Sequence, residues 1–207
     1  MNKNSLFLKF RIDLDNAITY GTKKKSLEVA REGLTQARKL KLPGEIEYFL
    51  AQRHIIKDEC ASAIEHLDKA IEYNPKDGAA YNDRALCMVE LGIIDKALDY
   101  FDKGIEVEPD YATIYHNKGW LLNNIGRHTE AIKCFRKALE LEPDRAVTYD
   151  NLADAQRQLS DLKGALASYR KVLELLKPGS CLKIRREIAK QIRSIEQRLR
   201  FQASGGH

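Results

Sequence analysis

The sequence lacks the pairings from which metal and redox sites are built. Its four cysteines, Cys60, Cys87, Cys134 and Cys181, stand far apart with no CxxC, which predicts reduced thiols and excludes a zinc ribbon or a dithiol couple. The five histidines show no HxxxH or HExxH spacing, which excludes the helical zinc motifs. No Gly-x-Ser-x-Gly elbow occurs. Gly21–Ser26 has lysines and a serine but no second glycine before them and no preceding strand, so it reads as a basic helix start, not a phosphate loop. Asp13–Asn16 lacks the glycine and the distal glutamate of a calcium loop. Apolar runs stay far below the roughly 18 residues of a membrane span. Lys9, Arg11 and Asp13 interrupt what would be the apolar core of a leader peptide. These absences predict a cytoplasmic, non-catalytic protein without cofactor or metal.

Proline is scarce as well, five in 207 residues, yet three of them, Pro75, Pro109 and Pro143, stand 34 residues apart. Ala63, Ala97, Ala131 and Ala165 keep the same interval. A spacing held this strictly marks stacked copies of one unit. Cut so that each proline falls near a unit's end, the units are 44–77, 78–111, 112–145 and 146–179, each reading as two amphipathic helices joined by a short turn. In 112–145, Ala112–Ile125 forms the first helix and Gly126 supplies the left-handed residue that ends it. Thr129 is the expected cap of the second helix, which runs to about Glu140, and Pro143 closes the unit. Gly92 and Asp95 are the counterparts in 78–111. Small residues (Ala51, Ala85, Gly119, Ala153 and the alanine series above) alternate with large ones (Tyr81, Tyr115, Tyr149; Leu67, Phe101, Phe135, Tyr169), so neighbouring helices can interlock at native density.

Tyr115, Gly119, Gly126, Ala131, Phe135, Ala138 and Pro143 resemble, at all seven signature positions, the tetratricopeptide repeat. The first unit departs at Glu47 and Asp58, where the family has an aromatic and a glycine. The fourth departs at Ser160, at Val172 and in its late Pro178. The resemblance implies an all-α, right-handed α-solenoid that binds other proteins, with the first helix of each unit lining a concave groove.

The ends follow the same scheme. Phe7, Phe10, Leu14 and Ala17 form one helical stripe and Leu27, Ala30, Leu34 and Ala37 another, broken by Gly21–Thr22; residues 5–43 read as a degenerate N-terminal repeat. After Ser180, a cap candidate, Ile184, Ile188, Ile192, Ile195 and Leu199 share a face opposite Arg186, Lys190, Arg193 and Arg200. Residues 180–201 are thus the expected capping helix and 202–207 a disordered tail. Charge divides accordingly: +6 over 1–43, −6 over 44–179 and +5 over 180–207.

With the interlocking residues set aside, the groove is expected to show Tyr48, Gln52 and Ile55 in the first unit, and Asn82, Asp83 and Leu86 in the second. The third contributes His116, Asn117, Trp120, Asn123 and Asn124, and the fourth Asp150, Asn151, Asp154 and Arg157. Trp120, the sole tryptophan, reads either as a packing residue or as a hot spot for a partner. The amide series reads either as packing or as a ladder for an extended peptide backbone. A chaperone-tail clamp needs cations that Tyr48, Gln52, Asp83, Thr113 and Asn117 do not supply. Shifting by one unit, to Asn82, Leu86, Asn117, Val147 and Asn151, does not supply them either. The expected partner is a peptide segment or helix of another protein. The alternative is a homo-oligomer formed by a basic terminal helix in an acidic groove. Nucleic acid through the basic C-terminal face is disfavoured by the acidic array, and an anionic membrane surface has no further support.

Overall fold

The computed structural model describes residues 3–176 and 181–203. Among them are eleven α-helices and no strand. The chain divides into two compact units, Met1–Pro109 and Asp110–His207.

The first unit contains α1 (Lys3–Tyr20), α2 (Lys23–Lys39), α3 (Pro43–Ile55), α4 (Cys60–Tyr73), α5 (Gly78–Glu90) and α6 (Ile94–Val107). The second contains α7 (Ala112–Asn124), α8 (His128–Leu141), α9 (Ala146–Gln158), α10 (Leu162–Leu175) and α11 (Leu182–Ala203). Within each unit, packing is pairwise inside hairpins (α3 with α4, α5 with α6, α7 with α8, α9 with α10) and then between successive hairpins. The second helices begin at Cys60, Ile94, His128 and Leu162, 34 residues apart.

Each hairpin turn uses one backbone device. Gly92 (φ +75°) and Gly126 (φ +82°) are left-handed, and so are Asp58 (φ +65°) and Ser160 (φ +60°) at the same register. At all four, the next residue's amide reaches back to the helix: Glu59 to His54 O, Ile93 to Met88 O, Arg127 to Leu122 O and Asp161 to Gln156 O. These bonds satisfy carbonyls that a helix end leaves open. Because the turn is so tight, the next helix starts directly after that residue. Thr129 and Asp95 therefore lie inside the first turns of α8 and α6 and cap nothing; Arg127 and Ile93 precede those helices without a side-chain cap. Thr22, Asp77 and Asp161 do cap, accepting from Lys25, Ala80 and Gly164 amides.

The four spaced alanines are completely buried, as are Phe101 and Phe135 one turn further along α6 and α8. Gly119 is small because it must be: a β-carbon there would lie 2.8 Å from Phe135 Cε1. Beyond the array the sequence expectations need adjusting. Pro43 opens α3 instead of closing the N-terminal hairpin. On α11, Ile188 and Ile195 are buried but Ile184 is exposed. That helix continues to Ala203, so the tail expected to be disordered from 202 does not begin there. Residues 204–207, like Pro178 and Ser180, lie outside the described residues.

Candidate functional site

In the first unit, α1, α3 and α5 bring the predicted groove residues together, but against one another. Tyr48, Gln52 and Asn82 are 5%, 4% and 3% exposed. The Arg11 guanidinium lies 3.8 Å from the centre of the Tyr48 ring. It donates to Asp77 at 2.8 and 2.6 Å and to Glu45 at 3.2 and 3.3 Å. Gln52 Nε2 donates to Asp83 Oδ2 at 2.5 Å and Asn82 Nδ2 to Asp83 Oδ1 at 3.0 Å. Burial pushes the Asp83 carboxyl up to about 6, with the Asp15 charge adding to it, while bonds from Asn82, Gln52 and Tyr48 pull the other way. Burial likewise lifts Glu45 above its ordinary range although Arg11 opposes it. Tyr48 and Gln52 thus join α3 to its neighbours, Asn82 is buried and holds Asp83 on its own helix, and the three do not line an open trough. Ile55 packs on the core and Leu86 is half-buried.

In the second unit, α7 and α9 run parallel, fixed by two rungs. His116 Nδ1 lies 2.9 Å from Thr148 Oγ1, and Asn123 Nδ2 donates to Asp154 Oδ2 at 3.1 Å. His116 is buried, and burial, with the Arg145 charge behind it, lowers its pKa to about 4. It is a neutral interior residue, which corrects its expected place in the groove. Asn123 also accepts from His128 Nδ1 at 2.7 Å. Trp120, 36% exposed, and Asp150 and Asn151 occupy the turn between the rungs. Asn117, Asn151, Asp150, Asp154 and Arg157 are half-buried and Asn124 is exposed. Asp154 is neutralised by Arg157 at 2.7 Å. Asp150 is lifted by burial and then by the Asp154 charge.

On α11, Arg186, Lys190, Arg193 and Arg200 are all exposed. Arg185, not anticipated, caps α10 by donating to Leu173 O and Leu176 O at 3.1 and 2.9 Å. Arg11 was also missed. Its signal was faint: one cation inside an apolar stripe, 34 residues before Glu45. No group of three or more metal-ligating side chains occurs among the described residues, and none of their helices is long and apolar enough to cross a membrane.

Paired helices at a 34-residue interval define a class of α-solenoid scaffold. Two tetratricopeptide repeat family models match residues 50–112 and 110–177. Together they span more than half of the chain, and it belongs to the tetratricopeptide repeat family. Among solved structures, the thermophilic tetratricopeptide protein TTC0263 of Thermus thermophilus is similar at 21% identity and TM-score 0.71, over 88% of this chain and 96% of that one. MamA from Desulfovibrio magneticus RS-1 is similar at 17% identity and TM-score 0.61, over 78% and 97%. The first repeat domain of Spaghetti (RPAP3), solved with the HSP90 peptide SRMEEVD, is similar at 22% identity and TM-score 0.53, over 60% and 94%. At these identities the likeness is one of fold. The comparison with curated proteins gives no match.

Proposed function

We propose that the protein is a non-catalytic interaction scaffold that holds a segment of a partner protein on the α7–α9 face of its second unit. The observation that carries this reading is Trp120. A large aromatic remains exposed between two rungs that already hold α7 to α9, so its side chain is not needed to join them. Aromatics placed this way act as binding anchors whose truncation costs about 2 kcal/mol or more. Asn117, Asn124 and Asn151 flank it and can pair with a peptide backbone. The face is formed before binding, so little order has to be created in the receptor. Family membership and the peptide held by the Spaghetti repeat domain support this use of the fold. Trp120→Ala tests it: partner binding is expected to weaken at least tenfold with the melting temperature unchanged. Equal binding by a stable variant removes the proposal.

A second reading is supported by α11. Leu182, Ile184 and Phe201 are exposed there beside the basic residues, a combination suited to a homo-oligomer docked through charge. Light scattering against protein concentration and salt discriminates: a monomer at all concentrations rejects it.

A further inference from the structure

The two units offer an internal comparison for what the α7–α9 face holds. In the first unit an aromatic ring and two carboxylates surround a guanidinium: Arg11 stacks on Tyr48 and bonds Glu45 and Asp77. In the second unit α7 carries an exposed aromatic, Trp120, and α9, joined to α7 by the two rungs, carries two carboxylates one helical turn apart, Asp150 and Asp154. The positions are not equivalent in the 34-residue register, but the chemistry is. Arg157 and Asn123 serve Asp154. No cation and no hydrogen-bond donor among the described residues reaches Asp150, which faces Asp154 without a counter-charge. Val147, three residues before Asp150 and therefore on the same stripe of α9, is 51% exposed. The face thus presents a half-buried carboxylate without a counter-charge among the described residues, together with two exposed apolar side chains, Val147 on α9 and Trp120 on α7.

We infer that the α7–α9 face recognises a partner segment carrying an arginine next to an apolar residue, the guanidinium taking Asp150 and stacking on Trp120 while the apolar neighbour covers Val147. This rests on the reading of that face as the binding surface. Charge complementarity selects the occupant. A planar guanidinium can pair with a carboxylate and lie on an aromatic ring at once, which an ammonium does less well. A segment with carboxylates and no arginine would set like charge against Asp150 with no cation to offset it.

The test is selection of a random dodecapeptide display library on the full chain, followed by affinity measurement of the enriched peptides. The expected motif contains arginine beside an apolar residue. Asp150→Asn, nearly isosteric, should weaken such a peptide about tenfold without changing the melting temperature. Replacing the peptide's arginine by citrulline should cost a similar factor, and the two changes together little more than either alone. Peptides sensitive to Trp120→Ala but not to Asp150→Asn would overturn the arginine assignment and leave the binding face standing. Peptides sensitive to neither would remove the face itself. An acidic or uncharged motif, or no enrichment, would also overturn the inference. So would self-association released by Asp150→Asn, which would make a second copy the occupant.

Discussion

In Met1–Pro109 the face formed by α1, α3 and α5 supplies its own cation. Arg11 reaches over Tyr48 to Asp77 and Glu45, and the polar residues around it are buried and satisfied. In Asp110–His207 the face of α7 and α9 is built from the same kind of hairpin, yet its aromatic is exposed and one of its carboxylates has no counter-charge among the described residues. One added helix accounts for much of the difference: α1 brings an arginine to Glu45 and Asp77, whereas on the second unit's face Arg157 serves Asp154 and no described cation serves Asp150. Helical hairpins of one design can therefore yield a closed polar seam or an open docking surface according to whether the chain provides the final ion.

The largest effect should come from removing that ion. Arg11→Met leaves Glu45 and Asp77, both mostly buried, facing each other. Uncompensated buried charge of this sort costs about 3 kcal/mol. Urea denaturation should show the loss in the first unit, while Trp120 fluorescence, which reports on the second, moves little. Adding Asp77→Asn should recover part of the loss, since asparagine can still cap α5. If Trp120 responds as strongly as the first unit, the two are not independent and the comparison fails.

Titration should separate the units by sign. Asp83 has its pKa raised to about 6, so the stability it contributes is full below its unfolded value near 4 and is lost as pH rises through about 6. His116 has its pKa lowered to about 4, so its contribution is full above about 6.5 and is lost as pH falls toward 4. Each amounts to about 3 kcal/mol. Between pH 4 and 6.5 acidification should therefore stabilise the first unit through Asp83 and destabilise the second through His116. Asp83→Asn should flatten the first trend and His116→Gln the second. Trends of equal sign in the two variants would contradict the buried positions assigned to both residues.

Much of this architecture was legible in the sequence, because the 34-residue interval is a packing constraint. Ala63 and its three counterparts are completely buried where helices meet. The turns were legible at Gly92 and Gly126 and obscured at Asp58 and Ser160, where the backbone keeps its left-handed residue without glycine. The faces were harder to read. Tyr48 and His116 occupy helix positions that look open in a repeat diagram. Whether they are covered depends on Arg11 and Thr148, which come from other helices. A side chain's burial is set by its neighbours across the stack, and the periodicity of one helix carries no record of them.

A smaller test contrasts two equivalent positions. Ala85 in the first unit and Gly119 in the second hold the same register, and a β-carbon at Gly119 would stand 2.8 Å from the Phe135 ring. Gly119→Ala should destabilise the second unit by about 1–2 kcal/mol, the clash exceeding the gain in helix propensity. Ala85→Gly should cost the first at least about 1 kcal/mol, from lost helix propensity and a buried methyl removed. Thermal denaturation of both variants checks the order; a stabilised Gly119→Ala would mean that Phe135 yields freely.

The smallest effects belong to the turns and run in the favourable direction. Ser160 (φ +60°) and Asp58 (φ +65°) hold a conformation that glycine adopts without strain. Ser160→Gly should stabilise the second unit by about 0.5–1 kcal/mol, the relief of strain exceeding the added freedom of the unfolded chain. Asp58→Gly should gain less, because it also removes the Lys23–Asp58 ion pair at 2.8 Å. Both of those side chains are exposed, so the pair contributes at most a few tenths of a kcal/mol. Raising the salt concentration should bring the two gains together, since screening weakens the pair and leaves backbone strain untouched. A gap that persists in high salt would mean that Asp58 is held at its turn by something other than Lys23.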